Sequence, residues 1–520
     1  MTSTMTSTPC TTTTGPGAAG RPTAGRRRLT ARAAAVLVAA ALAGTAATAQ
    51  AAPFGPATTR VSTGTAGTQP NDSSWGTGLS AEGRYAVFTS AATNLVPGDT
   101  NGRTDVFTRD LWTGRTERVS LTGAGGQADG ASYDGAISGD GRFVVFTSTA
   151  ALVAGDTNRA EDVYVRDRRS GRTERLTTGD PGREQPGLDS YLPSVSLDGR
   201  YVAFASTRTD LLPGERVSKA NIYVTDRWTG TTRLATAGAD GSPANGPSAD
   251  PQISADGSTV GFVSKATNLL PPAGGGPAKA AQSQAGGTPD EGAPDNAPDN
   301  APDEGFGHRS GQPARTGAGP QAAAGERATL LKPRLYPFYV HEVATGRTRG
   351  ASTDEAGELV GVADASVGPD GRYAVYSLPV VNQGPDGGAG GRHLELFVRD
   401  LRSGGVRHLA AALPGTTSDG SFSSPRLALG NRWLFFASGA ENLVAGDTNQ
   451  ADDVFRHDLW TGRTERVSVA SDGAQNTGAS YGPVLDALGT TVLFGAEDGT
   501  LVAPDSNQAA DVFARRLLPF

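Results

Sequence analysis

GDGRFVVFTSTAALVAGDTNRAEDVYVRDRRSGRTERLT, residues Gly139–Thr177, is the stretch whose reading decides the fold. Versions of it occur seven times along the chain. Each has an x-D-G-R turn followed by a short apolar run, such as Arg84–Ser90, RYAVFTS. A loop follows, NLVPGDTN in the first copy, leading into DVFTRD, Asp105–Asp110. Copies one to six then close with a T-G-type turn and a run such as R-T-E-R-V-S, which ends in the first copy at Ser120. The first-turn glycine stands at Gly83, Gly141, Gly199 and Gly257, 58 residues apart, and returns at Gly371, as Asn431, and at Gly489. A fixed period with internal turn signals marks a repeat architecture.

The pieces read as strands. Tyr85–Ser90 and Asp105–Asp110 are short, β-branched or aromatic, and bounded by Gly and Asp. Both faces of Tyr85–Ser90 are apolar, so both are expected to be covered. A further strand before each D-G turn, such as SYDGAIS at Ser132–Ser138, makes four per copy. Four short antiparallel strands stacked on the next copy describe a propeller blade. The seventh copy stops at DVFARRLLPF without an R-T-E-R-V-S strand, whereas an orphan TTRVS, Thr58–Ser62, precedes the first copy. Pairing these two would close the ring and remove a free edge. The expected fold is all-β: a single seven-bladed propeller of four-stranded antiparallel blades, closed by the N-terminal strand completing the last blade.

The x-D-G-R-apolar run with the following D-V-F-x-R-D and T-G resembles the PD40, or WD40-like, repeats of TolB-type β-propellers. The resemblance covers roughly residues 58–270 and 335–520. It implies the fold and not an activity, since one fold hosts many functions. TolB proteins have six blades behind a separate small domain. This chain carries seven copies, so no partner is transferred from them.

Residues 1–51 read as an export signal. Arg21, Arg26, Arg27, Arg28 and Arg32 form a basic region before the apolar run Ala33–Ala43, and Ala49–Ala51 offers a small-residue cleavage site. The Arg26–Thr30 arrangement also resembles a twin-arginine signal, so both the general secretory and the twin-arginine routes stay open. The formal charge of −7 becomes −12 once the five leader arginines are set aside. That balance argues against nucleic-acid binding. The lone cysteine, Cys10, lies in the leader, so no disulfide is expected. No membrane span is expected in the mature chain, which reads as a monomer.

Copies one to three are regular. The fourth dissolves after Leu270 into a tract rich in Pro, Gly, Ala and Asp, residues 271–334, and resumes at Leu335. Such composition cannot offset its ordering entropy, and the tract reads as a disordered insertion between second and third strands. The fifth copy has a glycine-rich loop at Gln383–Arg392 in the same place.

The sharpest local feature is D-T-N-x-x-x-D: Asp99, Asn101, Asp105; Asp156, Asn158, Asp162; Asp447, Asn449, Asp453; and the variant Asp505, Asn507, Asp511. Alternating oxygen ligands suit Ca²⁺. The plainer reading is that Asp and Asn close local turns. Copies three, four and five lack the motif, which suits local closure better than a shared ring of sites. Leu95, Leu152, Leu443 and Leu501, just upstream, read as apolar plugs. Arg109-Asp110, Arg166-Asp167 and Arg399-Asp400 recur opposite Arg118, Arg175 and Arg466, and cross-strand ion pairs are expected. Trp112, Trp228 and Trp460 precede T-G turns. Packing over the hairpin is the first reading for them, stacking on a sugar or protein the second. No catalytic signature is present, no cofactor is implied, and His341, His393, His408 and His457 fall at scattered positions. The expected function is a non-catalytic exported scaffold that binds a protein or cell-envelope polymer through the face carrying the D-T-N loops and the insertion. The competing reading is a carbohydrate-active hydrolase or lyase with acidic residues at the propeller axis.

Overall fold

A computed structural model describes residues 56–179, 187–213, 219–271, 335–383, 389–409, 411–497 and 500–517. The expected leader and nearly all of the 271–334 insertion lie outside the described residues. Seven antiparallel sheets stand in a ring, with no helix among the described residues. The first blade runs Ser74–Leu79, Tyr85–Ser90, Asp105–Asp110 and Thr116–Arg118 from the axis outward. Each innermost strand contacts those of its two neighbouring blades, including the last with the first.

The last blade is closed as the two chain ends imply. Ala57–Arg60 forms its outer strand against Asp511–Arg516, with Thr58 opposite Arg515 and Arg60 opposite Phe513. The contact continues past the strand: the Val61 amide donates to the Val512 carbonyl at 2.7 Å, and the Ser62 hydroxyl to Asp511 at 2.6 Å.

Burial follows the two-sided apolar strands. Ala86, Val87 and Phe88 are wholly buried. The core is divided into clusters that lie between neighbouring sheets; one joins Phe88 and Leu79 of the first blade to Leu493 and Val512 of the last. Inside every blade one aromatic pair stacks from the second strand onto the third, from Phe88–Phe107 at 5.5 Å to Phe494–Phe513 at 6.1 Å. Such cross-strand pairs hold register as well as area. Leu95, Leu152, Leu443 and Leu501 are buried plugs, as read from the sequence.

The turns after the innermost strands are tied together around the axis. Ala81 donates to Gly139, Gly139 to Leu197, Leu197 to Ala255, and Ala255 to Pro369, all through the backbone. Leu429 donates to Ala487, and Ala487 to Ala81. The link between the fifth and sixth blades is missing because Pro369 has no N–H. There the Asn431 side chain donates to Asp370 at 2.6 Å instead. Asn431 holds φ 55°, a left-handed conformation that Asn tolerates where most residues are strained.

Six innermost strands also carry a bulge, and that of the fifth blade does not. At the bulge Leu192, Asp250 and Ser424 take φ of 55°, 53° and 51° immediately before a proline. Proline disfavours helical conformations in the residue before it, so these are strained positions held by their surroundings.

Candidate binding faces

The ring presents two faces of different chemistry. Connections between blades and the loops joining second to third strands form the loop face. The D-G-R and T-G turns form the opposite turn face.

On the loop face each D-T-N loop encloses an arginine. Arg118 lies 3.8 Å from Asp99 and 3.3 Å from Asp105. Arg175 lies 3.0 Å from Asp156 and 3.3 Å from Asp162. Arg466 lies 3.1 Å from Asp447 and 3.3 Å from Asp453. In the last blade the arginine comes from the other end of the chain: Arg60 is 3.5 Å from Asp505 and 2.9 Å from Asp511. A hydroxyl completes each node, with Ser120 donating to Asp105, Thr177 to Asp162, Ser468 to Asp453 and Ser62 to Asp511. Asn101, Asn158, Asn449 and Asn507 each accept from the backbone amide two residues on, the Asx-turn geometry of the plainer reading. Burial pushes Asp105 and Asp511 up to about 6, outweighing the nearby guanidinium. Among the described residues no group of three His, Cys, Asp or Glu is arranged to hold a metal ion.

The sequence signalled these charges but paired them differently. Arg118, Arg175 and Arg466 do not serve Asp110, Asp167 or Asp400. Those carboxylates are held by the arginine of the D-G-R turn: Arg84–Asp110 at 2.8 Å, Arg142–Asp167 at 2.8 Å and Arg372–Asp400 at 2.8 Å. Arg109 and Arg166 instead donate to Thr116 and Thr173 and to backbone carbonyls of the preceding connection. The physical reason is register. Arg118 stands opposite Phe107, not opposite an acid, and its reach carries it into the loop. A further participant went unread: Gln127, Gln475 and Gln69 donate to Asp99, Asp447 and Asp505 across the blade-to-blade connection.

Blades without the motif fill the same node with matched substitutes. The third has Asn221 and Leu234 where the first has Asp105 and Arg118, with Thr236 donating to Asn221 at 2.8 Å. The fifth has Glu395 and His408, with His393 Nε2 donating at 2.7 Å to the other carboxylate oxygen. His341 and His457 likewise occupy the position of Arg109, each 2.9–3.0 Å from the threonine opposite. Burial pushes both imidazoles down to about 4, so they stand neutral. The four histidines among the described residues are therefore not scattered; each sits at or next to a repeat node.

Departures from the repeat gather at the fourth and fifth blades of the loop face. The fourth blade's second and third strands, Thr259–Ser264 and Tyr336–Glu342, bracket the insertion. The short strand Gly361–Val362 adds to Tyr336–Pro337. The fifth blade's hairpin, Tyr373–Gln383 and Ala389–Asp400, has strands of 11 and 12 residues where the first blade's have six. The innermost strands contribute Asp134, Asp250 and Asp364. The Ser424 amide donates to Asp364 at 2.8 Å.

On the turn face, Trp112, Trp228 and Trp460 are 57%, 68% and 73% exposed. The expectation that they pack over their hairpins is corrected: one contact with an arginine is made and most of each indole faces solvent.

No family model matches the chain, and no curated protein matches it. The chain is similar at low identity to several solved structures. A TolB-type protein of Agrobacterium tumefaciens is 14% identical over 65% of this chain and 80% of that one, with a TM-score of 0.33. Acylaminoacyl peptidase of Pyrococcus horikoshii is 11% identical over 86% of this chain and 53% of that one, at 0.42. Dipeptidyl peptidase 4 of Porphyromonas gingivalis is 10% identical over 80% of this chain and 48% of that one, at 0.39. The chain thus spans about half the length of these peptidases. By its own strand order the chain is a seven-bladed β-propeller.

Proposed function

We propose that this chain is an exported, non-catalytic propeller that holds a protein or envelope-polymer partner on its loop face, at the fourth and fifth blades. The observation that supports this is the coincidence, on one face and two adjacent blades, of an insertion, an added strand and a hairpin lengthened well past the repeat. Variable loops on a rigid scaffold are where recognition is placed. At the fifth blade Glu395, an ionisable group that chemistry could use, is spent on two histidines. The D-T-N loops act as brackets whose cation is an arginine side chain, and they need no calcium.

The test is capture from envelope extract by the full chain, by a chain lacking residues 272–334, and by one with the fifth-blade hairpin trimmed. Loss of capture in either trimmed form is expected. Equal capture by all three would remove the assignment. Glycan turnover abolished by Asp134→Asn, Asp250→Asn or Asp364→Asn would move the protein to the hydrolase or lyase reading.

A further inference from the structure

We propose that the turn face is a saccharide-binding surface built from repeated arginine–tryptophan sites at the first, third and sixth blades. This goes beyond the loop-face reading and does not depend on it.

The same constellation recurs at equivalent positions. Arg84 is sandwiched between Tyr85 at 4.8 Å and Trp112 at 4.6 Å. Arg200 lies between Tyr201 and Trp228, both at 4.7 Å. Arg432 lies between Trp433 at 4.7 Å and Trp460 at 5.0 Å. In each, Nε and Nη2 of the arginine are held by the carboxylate of Asp110, Asp226 or Asp458. The same carboxylate also accepts the tryptophan's own backbone amide at 2.9–3.0 Å. The indole is therefore fixed by its turn and by the stacked guanidinium, not by burial.

An exposed indole gains little from the hydrophobic effect and its stack on a guanidinium is worth only about 0.5–1 kcal/mol, so stability alone gives little reason to fix one three times. It preorganises a flat apolar platform whose conformational cost is already met. The polar remainder states what the platform takes. Each guanidinium charge is cancelled by its aspartate, so the site is neutral and offers no net attraction to phosphate or carboxylate. The aspartate is saturated by donors. What remains is donor capacity: Nη1 of each arginine has no hydrogen-bond partner among the described residues, and the side chains of Arg84, Arg200 and Arg432 are about a third exposed. An apolar platform beside a charge-compensated N–H donor suits a pyranose ring. Its C–H face lies on the indole and its hydroxyl oxygens accept from the guanidinium.

Between two of these sites, on the same face, lies a cleft of about 370 Å³ lined by Arg142, Phe143, Asp167, Arg172, Glu174 and Arg227. It pairs an aromatic ring with ion pairs of both signs, Arg142–Asp167 and Arg172–Glu174. Trp112, this cleft and Trp228 follow one another around the rim on consecutive blades. That order suits a chain of sugar units better than one isolated residue, and linked weak sites gain affinity by avidity.

The test is binding of the full chain to an array of neutral hexose and N-acetylhexosamine oligomers, followed by tryptophan fluorescence titration of any oligomer bound. Trp112→Ala, Trp228→Ala, Trp460→Ala and the triple variant are compared, with melting temperature as the check on folding. Binding that rises with oligomer length and falls at least tenfold in the triple variant, with melting unchanged, is expected. No neutral oligomer bound, or binding untouched by the triple variant, overturns the proposal. Binding instead to a proline-rich peptide, lost in the triple variant, also overturns it and gives the face to a protein. A chain lacking residues 272–334 should bind oligomers as the full chain does, which separates this site from the loop-face reading.

Discussion

At the scale of single residues, the loop-face nodes are buried ion pairs, and these behave asymmetrically. Removing one partner strands the other, whereas replacing both can be neutral. Arg118→Met should therefore cost about 3–5 kcal/mol in urea unfolding, because Asp99 and Asp105 keep buried charge. The double change Asp105→Asn with Arg118→Leu copies the third blade's Asn221 and Leu234 and should recover part of that loss, the remainder being the charge still buried on Asp99. The pH dependence has a definite sign. Asp105 is raised to about 6, so the native state holds its proton more tightly than the unfolded chain. Its contribution is complete below the unfolded value near 4 and is lost as pH rises through about 6. His341 and His457, lowered to about 4, work in the opposite sense: their contribution is present above about 6.5 and is lost as pH falls. The two slopes overlap, so the whole protein's curve is flattened. The difference between wild type and Asp105→Asn isolates the aspartate. Between pH 4 and 6 wild-type stability should fall relative to the variant; a flat difference would show that Asp105 keeps its ordinary titration.

At the scale of the element, the strand pattern was legible and side-chain partnership was not. The period of the D-G-R turns gave the strands, and the missing outer strand of the last copy named its own replacement at Thr58–Ser62. Register alone would have paired Arg109 with Thr116, as found, and denied Arg118 an acid opposite. What sequence could not supply was the depth of the loop that brings Asp99 back over the hairpin. The histidines were legible in principle, since aligning the copies puts His457 on Arg109. The tryptophans were not, because the position before a T-G turn is the same whether the ring lies down or stands out. The closing strand carries its own prediction. Arg60→Met leaves Asp505 and Asp511 facing each other and should lower the melting temperature by several degrees, by about as much as Arg118→Met, if closure is as tight as an internal blade contact.

At the scale of the whole molecule, the seven sheets share one design with local substitutions, and the ring carries no metal-dependent joint in this reading. Chelation with EDTA should therefore leave the melting temperature within about 1 °C, which for a propeller of this length corresponds to no more than about 1 kcal/mol. A larger drop would return the D-T-N loops to the calcium reading. The working faces were only half legible. The loop face announces itself through an insertion. The turn face is made from short, regular turns whose exposure only appears once the strands are folded against one another.

The circle of backbone bonds around the axis has one gap, at Pro369, spanned by the Asn431 side chain. A hoop fastened by six equal rivets and one clasp will part at the clasp. Asn431→Ala should leave most of the hoop intact yet speed amide exchange at the turns on either side, Gly371 and Leu429, before any other. Pro369→Ala, by returning the absent N–H, should slow it. The protein would then possess a built-in direction of opening, set by one ring nitrogen that carries no hydrogen.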